Sequence, residues 1–143
     1  MSAAGYSGTP LLKKLGVKDG MRALLVNAPA GLDALNKFSG WKSAKRAKTM
    51  KGAGAGPYDY IHYFSNDLND YKAAAPAFKK LLEPAGMVWI SWPKKSSGVA
   101  TTLGEADVRA LGLKAGLVDI KICAVDETWS GLKFVIPVKD RKK

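Results

Sequence analysis

Two near-continuous apolar runs of strand length, Met21-Arg-Ala-Leu-Leu-Val26 and Met87-Val-Trp-Ile-Ser-Trp92, constrain this chain more than any other feature. A strand with one wet face alternates apolar and polar residues, so a run without alternation has both faces covered. Such strands belong inside a sheet with helices on each side, the arrangement of parallel α/β domains. A third segment, Tyr58-Asp-Tyr-Ile-His-Tyr-Phe64, is aromatic and β-branched and reads as another strand.

Helical signals fall between these runs. Thr9 is a capping residue ahead of Pro10 at a first helical position, and Gly16 stops the segment Leu11 to Leu15. A brief helix follows Asn27-Ala-Pro-Ala-Gly31 and reaches Leu35. From Asp67, the residues Leu68, Tyr71, Ala75, Phe78 and Leu82 recur at helical spacing, with Pro76 expected to kink or divide the helix. Glu83-Pro-Ala-Gly86 reads as a turn. Thr102 and Glu105 have the capping-box spacing and open a helix through Leu111, ended by Gly112 and Gly116. Leu117 to Val125 alternates with Asp119 and Lys121 on one face, and Leu132 to Ile136 alternates too. Asp126 to Gly131 joins these two as a hairpin, and Pro137 suits a sheet edge. The predicted architecture is a three-layer α/β sandwich, its sheet mainly parallel and closed by a C-terminal antiparallel hairpin.

The 143 residues suit a single domain, 1–143, and an apolar content of 47% supplies its core. No run approaches the roughly 20 apolar residues of a membrane helix, and no basic-then-apolar leader opens the chain, so the expected compartment is the cytoplasm. One cysteine, Cys123, and one histidine, His62, leave no disulfide framework or multi-cysteine zinc set, and neither metal nor cofactor is expected. The net charge of +11 is uneven: Ala34 to Tyr58 holds Lys37, Lys42, Lys45, Arg46, Lys48 and Lys51 with no acid. The tail Lys139-Asp-Arg-Lys-Lys143 adds a net three, leaving +2 for everything else. Such segments attract polyanions without sequence preference, or simply keep a protein soluble; both readings stand. Residues 37–57 mix bases with glycines and read as a flexible segment, with at most a weak helix or edge strand near Ser43 to Met50.

The order of elements around Tyr58-Asp-Tyr-Ile-His62 and Leu82-Glu-Pro-Ala-Gly86, with the closing hairpin from Ala115, resembles the second half of a class I methyltransferase, here truncated. Four blocks, Tyr6 to Pro10, Gly20 to Pro29, Ser91 to Lys95 and Cys123 to Lys133, are similar to an uncharacterised bacterial family, domain of unknown function 3052. The first likeness implies a sheet of methyltransferase type; the second carries no activity or cofactor with it. A methyltransferase places a glycine-rich turn after its first strand, where the backbone approaches S-adenosylmethionine, and an acid after the next strand for the ribose. Here the first strand runs into Asn27-Ala-Pro-Ala-Gly31, whose proline lacks an N–H, and the middle segment from Ala34 to Tyr58 has no acid. Gly52-Ala-Gly-Ala-Gly56 precedes a strand instead of following one and does not replace that loop.

Ser91-Trp-Pro-Lys-Lys-Ser-Ser-Gly98 leaves the C-terminal end of a central strand, where ligands gather in parallel sheets, and Lys94, Lys95 and Ser96 suit an anion. The hairpin adds Asp126, Glu127, Trp129 and Lys133, and the first strand adds Asn27. Asp126 and Glu127 can do acid–base chemistry only if their surroundings separate their pKa values; otherwise they satisfy loop amides or pair with a lysine. His62 and Cys123 read as packed strand residues. Three functions follow in order of preference. The first is a non-catalytic binding or regulatory domain holding a small anion or a protein partner at the sheet end. The second is an atypical methyltransferase-like enzyme using Asp126 or Glu127. The third is nonspecific nucleic-acid association through Lys42, Lys45, Arg46, Lys48 and Lys51, with Trp41 stacking on a base or docking on the domain.

Overall fold

Each near-continuous run forms a strand buried on both faces. In the computed structural model, which describes residues 8–141, the first is β1 (Arg22–Val26) and the second lies in β4 (Leu82–Pro93). From Ala23 to Val26 no residue of β1 is more than 1% exposed. The remaining strands are β2 (Ser43–Ala47), β3 (Tyr58–Phe64), β5 (Val118–Ala124) and β6 (Trp129–Val135), and the six form one sheet in the order β2-β1-β3-β4-β6-β5. The first four are mutually parallel; β6 runs antiparallel to both β4 and β5.

Helices cover both faces. On one, α1 (Gly8–Leu15) and α2 (Asp33–Asn36) press Leu12, Leu15 and Leu35 onto Leu25, Tyr60 and Trp89. On the other, α3 (Leu68–Ala74), α4 (Phe78–Leu81) and α5 (Glu105–Lys114) press Tyr71, Phe78 and Val108 onto Ile61, Ile90 and Phe134. Pro76 divides α3 from α4 as expected, with a 3-10 turn at Ala75–Ala77. The three-layer sandwich is therefore the observed fold.

Several local expectations change. Leu82 already pairs with Tyr58, and Glu83 to Gly86 bulge within β4 before Met87 pairs with Tyr60, so this segment belongs to the strand and is not a separate turn. Thr102 does not cap α5: the cap is Gly104, and Thr102 Oγ1 accepts from Leu68 N at the start of α3 (2.9 Å). Gly112 lies inside α5, because a Cβ there would stand 2.3 Å from the Phe134 ring, and Gly116 at φ +90° ends the helix. The sheet's edges are β2 and β5, so Pro137, which follows β6, lies beyond an interior strand. A bulge between Asp119 and Lys121 breaks the alternation of β5, turning Asp119 to Arg109 of α5 and Lys121 to Lys14 of α1 on the opposite face. The hairpin is also tighter than Asp126 to Gly131, because Ser130 and Gly131 pair with Ala124 and Cys123 inside it. Ser43–Ala47 takes the edge-strand alternative, parallel to β1. The Tyr6 and Ser7 of the first family block, the capping side chain of Thr9, and Lys142 and Lys143 of the tail lie outside what is described. No helix among the described residues is long and apolar enough to cross a membrane.

Candidate functional site

The chain passes from β1 outward to β2, then back across β1 to β3, so the strand order reverses at β1. In open parallel sheets the crevice beyond the strand ends at such a reversal is where ligands lodge. Asn27 stands at that point. Its backbone N–H donates to Ala47 O of β2 (2.8 Å) and its side-chain Nδ2 to Phe64 O of β3 (3.0 Å), tying three strand ends together. It is also the only non-glycine with positive φ, +59°, among the described residues. That left-handed conformation costs a substituted residue about 1 kcal/mol, and asparagine tolerates it best because its amide bonds locally.

Two clefts flank Asn27. The one on the α3 side, about 400 Å³, is walled by Met50, Tyr63, Ala73 and Ala74 and edged by Lys48, Thr49, Lys51, Ser65 and Asp70. The one on the α2 side, about 720 Å³, is lined by Ala28, Ala30, Asn36 and Arg46. Asn27 and Lys48 border both. Beneath the second cleft the loop after β1 curls back on itself: Pro29 O accepts from Asn36 Nδ2 (2.8 Å), and Asn36 Oδ1 accepts from Arg46 Nη1 (3.0 Å). Lysines that the sequence suggested for nucleic acid thus contribute to the same place as Asn27. The basic residues do not form one stripe, since Arg46 reaches α2 while Lys45 packs towards Gly54 and Tyr58 on the other face.

The other expected ligand residues are not brought to this point. Lys94 and Lys95 line a separate cleft of about 580 Å³ with Thr101, Thr102 and the start of α5, and Ser96 lies in the 3-10 turn beside it. Asp126 is occupied as a loop cap, its Oδ1 accepting from Thr128 N (2.8 Å) and Trp129 N (2.7 Å), while Glu127 is exposed. The two acids therefore do not converge on a pocket with Lys94. Trp129 sits edge-on to Phe64 at 5.3 Å, and Lys133 lies mid-strand on the α1 face, opposite Lys121. Trp41 is docked on the domain, 4.8 Å from Phe38 and 5.4 Å from Tyr60, and is not free to stack on a base.

A polar network that the sequence did not reveal runs under α1. Fully buried His62 bonds Tyr60 Oη through Nδ1 and Ser91 Oγ through Nε2, both at 2.8 Å, and stacks on Phe64 at 4.2 Å. Burial pushes its pKa down to about 3, so the ring is neutral at ordinary pH. A serine, a histidine and a phenol in line have the elements of a nucleophilic relay, but all three are sealed inside the core. The alternating positions 60 and 62 of β3 put both on one face; the contribution of Ser91, 29 residues on, depends on the β3–β4 register.

No family model matches the chain, and no curated protein matches it. The likeness to domain of unknown function 3052 therefore rests on its sequence blocks alone. Solved structures do match. A SAM-dependent methyltransferase from Aquifex aeolicus superposes with a TM-score of 0.65 at 17% identity, over 90% of this chain and 88% of that one. The N-methyltransferase NodS from Bradyrhizobium japonicum WM9 gives 0.65 at 14%, over 93% and 96%. A TehB-like SAM-dependent methyltransferase from Corynebacterium glutamicum gives 0.63 at 12%, over 90% and 86%. At such identities the likeness speaks for the fold: this is a small class I methyltransferase fold.

That fold implies S-adenosylmethionine, and the strand ends do not fit it. The loop after β1 contains Pro29, which has no N–H, and Leu32 N and Asp33 N already donate to Pro29 O and Gly31 O, so it offers fewer free N–H groups to a cofactor carboxylate. β2 ends at Ala47 and Lys48 follows it, placing a cation where a ribose would need an acceptor. The cofactor is itself net cationic, and Arg46, Lys48 and Lys51 against the single carboxylate of Asp70 oppose it.

Proposed function

We propose that this chain is a binding domain on a class I methyltransferase scaffold, holding a small phosphate-bearing anion at the ends of β1, β2 and β3. The observation that carries the reading is Lys48, which with Asn27 borders both clefts at the strand reversal. Thr49 adds a hydroxyl donor, its oxygen accepting from Lys51 N, and Lys51 adds a second ammonium. Calorimetric titration at constant ionic strength tests it, with inorganic phosphate, pyrophosphate and S-adenosylmethionine as ligands. Phosphate and pyrophosphate should bind, and Lys48→Ala should weaken both about tenfold, the loss of one charge-assisted contact. Binding of S-adenosylmethionine with methyl transfer to an acceptor would overturn this reading in favour of an atypical enzyme, which the methyltransferase neighbours favour.

A nucleic acid held along β2 is a second reading, favoured by the exposed edge position of Lys45 and Arg46. Its signature is an affinity that falls steeply and log-linearly with salt.

A further inference from the structure

Lys133 does not serve the clefts described above, and its surroundings are electrostatically odd. The β5–β6 register sets it directly opposite Lys121, a like-charged cross-strand pair that weakens a sheet. It lies tucked beneath the turn that ends α1, where a Cβ on Gly16 would stand 3.6 Å from its Nζ and 3.3 Å from Met87 Sδ. The Lys133 ammonium makes no hydrogen bond or ion pair among the described residues, whose ion pairs use Arg22, Lys37, Lys79 and Arg109. Burial, then the charges of Lys121 and Lys18, hold its pKa below the ordinary lysine value.

The C-terminal end of a helix attracts cations, which could account for lysines here. In α1 that demand is already met. Leu12 O accepts from Val17 N, Lys13 O from Gly16 N, Lys14 O from Lys121 Nζ and Leu15 O from Trp89 Nε1. Lys18 and Lys133 are left without an ion-pair partner among the described residues.

We propose that Lys121 and Lys133, with Lys18 two residues past the Gly16 turn that covers Lys133, form a second anion site, on the α1 face of the hairpin, that takes a phosphate dianion, free or as a monoester. The anion sits between the Lys121 and Lys133 ammoniums, beside the segment that carries Lys18, and replaces mutual repulsion by charge-assisted hydrogen bonds. This site is separate from the one at Asn27 and stands or falls without it.

The test uses Lys48→Ala protein, so that binding at Asn27 does not contribute. Inorganic phosphate and O-phosphoserine are titrated calorimetrically at constant ionic strength, and backbone amide shifts are followed by NMR. The expected result is binding that perturbs the amides of Lys18, Lys121 and Lys133, and that Lys133→Met weakens about tenfold. Stronger binding of O-phosphoserine identifies a monoester ligand, and equal binding a free phosphate. Lys121→Glu, which places opposite charges across the hairpin, should raise the Tm and abolish the response to phosphate. No binding to Lys48→Ala protein, or equal binding with and without the Lys133 ammonium, overturns the proposal.

Discussion

Taking the protein from pH 7 to pH 5 should cost the folded state about 2 kcal/mol through His62 alone. The ring is completely buried, stacked on Phe64, and its pKa is pushed from 6.5 down to about 3 by loss of solvent. An unfolded chain takes up a proton near pH 6.5 that the folded chain refuses until about pH 3. The contribution is thus fully present above 6.5 and is lost as pH falls through the interval, at roughly 1.36 kcal/mol per unit. At pH 5 about 1.5 units have been crossed, giving about 2 kcal/mol. Asp59 does not confuse this window: its pKa is held below the usual 3.8 by hydrogen bonding to Arg22, so its own loss begins only below that value. Urea unfolding followed by tryptophan fluorescence at pH 7, 6 and 5 reads the effect directly. Wild-type stability should fall across the series, while His62→Gln should start less stable, having weakened contacts to Tyr60 and Ser91, but lack that slope. A flat wild-type profile, or an equal slope in the variant, would refute the reasoning.

Other perturbations follow from single contacts. Gly112→Ala should lower stability by about 1–3 kcal/mol in thermal unfolding, because overpacking against Phe134 outweighs the helix propensity it gains. Trp89→Phe should cost about 2 kcal/mol in urea unfolding, from the space left in the core and the loss of the indole bond to Leu15 O (2.8 Å). Asp59→Asn should flatten the acid limb of the stability profile below pH 4, where the carboxylate partner of Arg22 would otherwise be protonated.

The candidate site was only partly legible in the chain. Asn27 could be named because it ends a strand that the sequence makes plain, and Lys48 could be named because the acid-free segment stands out. That they border the same clefts follows from the return of the chain across β1, which no local pattern encodes. Asp126, Glu127, Trp129 and Lys133 are close in sequence, but the antiparallel course of β6 carries Lys133 away from the loop and into the middle of the sheet. Thr102 and Glu105 fit a capping box by spacing, yet Thr102 is drawn to the start of α3 by a contact 34 residues away.

What the sequence determined by itself is the layered sheet: unbroken apolar runs demand cover on both faces, and Pro29 after the first strand and the acid-free stretch from Ala34 to Tyr58 are visible as letters. Pairing decided the rest. Whether Lys121 faces Lys133, whether His62 meets Ser91, and which strand ends meet at Asn27 all depend on register and strand order. Those are set by the burial of whole faces against one another, a property of the assembled sheet and of no single segment.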